Sequence, residues 1–89
     1  MFKKEAGEIF YRNFNRRLAE IRIEKGLTQA ELAELIGVGL RDFQKWEAKS
    51  GISLWTLFRL TKVLNCSASD FFKEPKTQKQ GRARPRKND

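Results

Sequence analysis

The sequence predicts an all-α protein, with one compact domain of five short helices followed by a disordered basic tail. Three observations carry this reading. Apolar residues recur at spacings of three and four, the period of a helix with one buried face. Helix-start patterns stand at Thr28–Glu31 (T-x-x-E) and Ser67–Asp70 (S-x-x-D), and glycines follow the periodic stretches at positions 26 and 37. The fourteen residues from Lys76 to Asp89 contain no Leu, Ile, Val, Phe, Trp or Tyr. Such a segment cannot offset its ordering entropy. The chain therefore divides into 1–12, an N-terminal extension or the start of the first helix; 13–75, the helical domain; and 76–89, the tail.

In the first element, Ile9, Phe10, Phe14, Leu18 and Ile21 form a stripe, which predicts a helix from near Tyr11 to Lys25. Gly26 is placed to stop it in a left-handed turn. In the second, Thr28 and Glu31 form a capping box, while Leu27 and Leu32 occupy the two positions of a hydrophobic staple. Ala30, Leu32, Ala33, Leu35 and Ile36 supply the buried face, and Gly37 ends the helix. Gly39 is a tolerable N-cap for the third, in which Phe43 and Trp46 point inward together. Leu40, Arg41, Gln44 and Lys45 are then left on the outer faces. Ser53 caps a fourth helix with Leu54, Leu57, Leu60, Thr61 and Leu64 along its apolar side and Phe58 beside them. A very short fifth bears Phe71 and Phe72, and Pro75 ends it. Trp46, Phe43, Ala33, Leu57 and Cys66 are expected in the core.

Composition narrows the function. The 89 residues carry a net charge of +8. From Lys76 onward there are six basic residues against one acid, a net +5, and residues 1–75 carry 13 against 10, a net +3. A basic sum of this size favours a polyanionic partner, although solubility explains it equally well. There is no histidine and a single cysteine, Cys66. The usual zinc ligand sets, the serine–histidine triad and the cysteine–histidine pair are therefore unavailable. No phosphate-cradling GxxxxGK[ST] or GxGxxG occurs. These absences argue against an enzyme and imply no cofactor or metal. No run of about 18 apolar residues is present to span a membrane. The charged N-terminus does not resemble a signal peptide, and one cysteine suits a reducing compartment, so the expected location is the cytoplasm.

Two helices joined by a three- to four-residue turn containing glycine form the helix-turn-helix unit. The first braces the second, and the second projects its outer face toward the major groove of DNA, which admits one helix. Here the sequence resembles the phage repressor/Cro, or xenobiotic-response-element, type of helix-turn-helix proteins. The motif stretches are R-x-x-x-G-L-T-Q-x-E-L-A at Arg22–Ala33, I-G-V at Ile36–Val38, and W-E at Trp46–Glu47. L-x-x-L-x-K-V-L-N at Leu57–Asn65 and S-x-S-D-F-F at Ser67–Phe72 follow. The resemblance covers roughly Arg16 to Phe72. It implies a lambda-repressor-like fold and sequence-specific binding of double-stranded DNA, with the helix from Leu40 to Glu47 in the major groove.

The resemblance also implies roles for individual residues. Leu40, Arg41, Gln44 and Lys45 match positions that face base edges in relatives. Arg41 suits guanine O6 and N7, Gln44 suits adenine, and Leu40 suits a thymine methyl. The alternative is an ordinary exposed helix face. Gln29 matches a glutamine that contacts phosphate and steadies the reading residues, or else it is merely a good helix former. Thr28, Gly39, Lys49 and Ser50 fall at the other phosphate-contacting positions. Arg22 and Glu47 match a salt bridge between the first and third helices. The sequence departs from the pattern in three places. Gly39 stands where many relatives carry Ser or Thr. Asp42 stands where a neutral hydroxyl is common, and is free to read cytosine or to pair with Arg41 or Lys45. The loop Ala48–Ile52 is about one residue short.

The reading this supports is a bacterial or phage transcription regulator, in the first instance a repressor, cytoplasmic and nucleoid-associated, acting as a homodimer. The apolar residues Phe2, Ile9 and Phe10 suit either a dimer contact or packing over the core. An antitoxin-like protein that binds a toxin partner and represses its own operon fits the tail as well. A scaffold or RNA-binding adaptor is a third possibility, motivated by Gly39 and Asp42.

Overall fold

A computed structural model describes residues 3–48 and 51–76 and contains four α-helices and one 3-10 turn. Helix α1 spans Lys4–Glu24, α2 Gln29–Ile36, α3 Leu40–Ala48 and α4 Leu54–Leu64, and the 3-10 turn spans Ala68–Phe72. No strand occurs among the described residues. No helix there is long and apolar enough to cross a membrane. The predicted tail beyond Lys76, Phe2, and Lys49 and Ser50 lie outside the described residues.

The ends of α2 follow from local chemistry. The Thr28 hydroxyl accepts the Glu31 N–H at 3.0 Å, and the Glu31 carboxylate accepts the Thr28 N–H at 2.8 Å. Two of the four donors orphaned at a helix start are thereby satisfied. Gly37 then takes φ +80°, the left-handed geometry that an L side chain resists, and its N–H returns to the Glu34 carbonyl. Gly39 accepts the Phe43 N–H through its carbonyl, which puts it at the N-cap of α3. The connection between α2 and α3 is three residues long, Gly37 to Gly39.

The core is contributed by every element. Phe14, Leu18 and Ile21 come from α1; Leu32, Ala33 and Ile36 from α2; Phe43 from α3; Leu57, Leu60 and Leu64 from α4; and Phe71 from the 3-10 turn. Phe43 and Phe71 are completely enclosed. Helix α1 runs beneath both α3 and the 3-10 turn, with the Phe14 and Phe71 rings stacked at 5.6 Å.

Several expectations need correction. Helix α1 begins at Lys4, not near Tyr11. Its first turns bury nothing, but Glu5, Ala6 and Glu8 are sound helix formers, and Phe10 stacks on Phe72 at 5.7 Å to anchor the extension. The predicted buried stripes are narrower than expected. Leu35 stays 57% exposed and Leu54 81% exposed, Ala30 is also outside, and Thr56 replaces Leu54 against the core. Trp46 and Cys66 pack at the edge of the core, partly buried. The fifth element is a 3-10 turn that stops at Phe72, three residues before Pro75, because Lys73 is already extended at ψ 160°. Pro75 is itself buried.

Candidate nucleic-acid interface

Helix α3 is short, so its orientation depends on what holds its two faces. On the inner face, Phe43 is fully buried and Trp46 meets it edge-on, with ring centroids 5.8 Å apart. These two anchors turn Leu40, Arg41, Gln44 and Lys45 outward together, since positions i, i+1, i+4 and i+5 share one side of a helix. All four are exposed, Leu40 at 42%. A bulky apolar side chain, two cations and an amide therefore line one ridge with no competing core role.

A polar chain fixes the far end of that ridge. Arg22 Nε donates to Glu47 Oε2 at 2.7 Å, and Arg22 Nη2 to Glu47 Oε1 at 3.3 Å. Arg22 Nη1 donates to the Leu27 carbonyl at 2.8 Å, so one guanidinium joins α1, α3 and the approach to α2. The pair is largely sheltered, its side chains being 12% and 9% exposed. Gln29 Nε2 then donates to Glu47 Oε1 at 2.8 Å, and Gln44 Nε2 donates to Gln29 Oε1 at 3.2 Å. Because Glu47 accepts from Gln29, the Gln29 carbonyl oxygen must face Gln44. Among the described residues, Gln44 in turn keeps its own Oε1 and one N–H free. That is the acceptor and donor pair that adenine N6 and N7 require. The resemblance implied that Gln29 steadies the reading residues, without naming Gln44 as the one it holds. The two residues lie 15 positions apart on different helices, and no local spacing signals their meeting.

The start of α2 adds a second feature. Thr28 is exposed, Gln29 half-buried and Gly39 exposed. The N-terminal N–H groups of α2 and the positive end of its dipole favour an anion there. Lys49 and Ser50 lie outside the described residues. Asp42 pairs with neither Arg41 nor Lys45 among the described residues, and its carboxylate sits in the first turn of α3, where the helix dipole favours it.

Arg59 on α4 is a contributor that sequence reasoning missed. Its Nη2 donates to the Ile36 carbonyl at the C-terminal end of α2 and lies 3.7 Å from where a Cβ on Gly37 would stand. A cation there satisfies a carbonyl that the helix end leaves open and braces the turn from behind. Nothing in the local pattern distinguishes Arg59 from an exposed helix residue.

Among the described residues, no three His, Cys, Asp or Glu side chains come together to hold a metal ion. The architecture is instead a braced ridge beside a helix N-terminus. A family model described as helix-turn-helix matches residues 18–71, more than half of the chain. A search of curated proteins finds no match. The chain belongs to the helix-turn-helix family of the phage repressor/Cro type, whose members are DNA-binding transcription regulators.

Proposed function

We propose that this chain is a sequence-specific repressor that inserts α3 into the major groove of duplex DNA and acts as a homodimer in the cytoplasm of a bacterial or phage-infected cell. The observation that carries this is the outward ridge of Leu40, Arg41, Gln44 and Lys45, held in place by Phe43, Trp46 and the Arg22–Glu47–Gln29–Gln44 chain. Arg41 and Gln44 read base edges, Lys45 adds a cation to the same contact, and Leu40 meets a thymine methyl. Thr28, Gln29 and Gly39, with Lys49 and Ser50, bind the flanking phosphates and set the register. One module reads few base pairs, so two copies on half-sites about 34 Å apart supply the specificity.

The test is binding of Arg41→Ala to the preferred duplex and to single-base variants of it. The substitution weakens binding by about 1–3 kcal/mol and relaxes preference at one base pair. An equal loss on every sequence would reduce Arg41 to a phosphate contact.

A further inference from the structure

We infer that Arg59 is a positioning residue for base reading. Its latch on the C-terminal end of α2 fixes the glycine turn and, through it, the N-terminal half of α3, where Leu40 and Arg41 stand. The inference rests on the DNA-reading role proposed above. Helix α2 is held at both ends by an arginine that donates to a backbone carbonyl. From α1, Arg22 Nη1 donates to the Leu27 carbonyl at 2.8 Å, just before the helix starts. From α4, Arg59 Nη2 donates to the carbonyl of Ile36, the last residue of the helix. The eight residues between these supports span about 12 Å. The first arginine continues into Glu47, Gln29 and Gln44, and so steadies the C-terminal half of α3. Arg59 acts at the opposite end of α2, next to the turn, and so on the other half of α3.

The turn needs such a latch because α3 starts without the side-chain lock that α2 and α4 possess. Thr28 accepts the Glu31 N–H at 3.0 Å, and Ser53 accepts the Thr56 N–H at 3.1 Å. Gly39, at the start of α3, has no side chain to offer. Two of the three turn residues are glycine, the residue that loses most conformational freedom when it is fixed. Base contacts nevertheless require side chains held to about 0.5 Å. The last carbonyls of α2 are engaged in order. The Val38 N–H reaches Ala33 at 3.0 Å, the Gly37 N–H reaches Glu34 at 3.1 Å, and Arg59 takes Ile36, whose peptide leads into Gly37. Arg59 works from a firm base, since Leu57, Leu60 and Leu64 anchor α4 in the core. No carboxylate pairs with Arg59 among the described residues, so its cation faces the negative end of the α2 dipole. That end repels phosphate, which distinguishes Arg59 from a cation that binds the DNA backbone.

The test uses the full chain, its preferred duplex, and single-base variants assigned to Arg41 and to Gln44 by Arg41→Ala and Gln44→Ala. Arg59→Met removes the donor and the charge. It should lower discrimination at the base pair assigned to Arg41 by about fivefold or more, and change that at the pair assigned to Gln44 by less than about twofold. Arg59→Lys keeps a cation and a donor for the same carbonyl, and should recover most of the loss. Gly39→Ser meets nothing within 4 Å and supplies the missing cap, so it should recover discrimination in the Arg59→Met background. The log–log salt slope should be the same in Arg59→Met and Arg59→Lys as in the unaltered chain, because a lost phosphate contact would lower it by about 0.9. Urea unfolding of each variant gives its folded fraction, so that lost stability is not counted as lost discrimination. Unchanged discrimination in Arg59→Met overturns the inference, as do equal losses at both base pairs or a reduced salt slope. Sequence-blind binding by the unaltered chain would sink the DNA-reading role itself, and this assignment with it.

Discussion

The sheltered carboxylate of Glu47 accepts from Arg22 and from Gln29, so it is the residue on which the reading ridge turns. Glu47→Ala leaves the Arg22 guanidinium without its partner in a largely enclosed place and frees the Gln29 amide. Stability should fall by about 3 kcal/mol in urea unfolding. A loss below about 1 kcal/mol would show that the pair behaves as a solvent-exposed one. A different residue governs behaviour in acid. The Ser67 N–H donates to the Asp70 carboxylate at 2.9 Å and the Lys73 ammonium lies 3.0 Å from it, which lowers the Asp70 pKa from 3.8 to about 2. A carboxyl whose folded value is depressed stabilises the fold above its unfolded value, and loses that contribution as pH falls through the folded one. The cap on the 3-10 turn therefore weakens between about pH 4 and pH 2. Asp70→Asn should flatten the acid limb of the stability curve in that window, and an unchanged limb would contradict the assignment.

Among the elements, α2 and the turn after it are the most legible in the sequence, because their determinants are local. Thr28, Glu31 and Gly37 act through backbone groups three or four residues away, and spacing alone reveals them. Thr28→Ala should cost about 1 kcal/mol of stability, measured by thermal or urea unfolding. Gly37→Ala meets no hard clash, since Arg59 Nη2 is 3.7 Å away, so its cost is the left-handed backbone, about 1–2 kcal/mol. The helix start at Lys4 is not legible. What holds its first turns is Phe10 on Phe72, a contact between residues 62 positions apart. Periodicity also overstates burial on α2 and α4. An apolar residue at the edge of a stripe, such as Leu35 or Leu54, is compatible with either side of a helix, and only the neighbouring elements decide. At the site, the exposed ridge follows from placing Phe43 and Trp46 inward. The Gln29–Gln44 link and the Arg59 brace do not, because each depends on how separate helices meet.

For the whole molecule, the charge distribution separates two ways of holding DNA. Under the proposed function, the ridge on α3 carries the sequence information, whereas the basic residues from Lys76 onward add phosphate contacts without it. Truncation after Pro75 should weaken binding to every duplex by a similar factor. It should also flatten the salt dependence, by about 0.9 in log–log slope for each phosphate that the tail had neutralised. An unchanged slope would mean that the tail contributes nothing. Under the proposed function, α3 reads sequence. The most direct test is selection of bound fragments from a random duplex pool, with affinity for the selected sequence followed against salt. The expected result is a pseudo-palindrome with half-sites one helical turn apart, whose recognition depends on Arg41 and Lys45. Recovery of no preferred sequence, with binding that merely tracks salt, would contradict it.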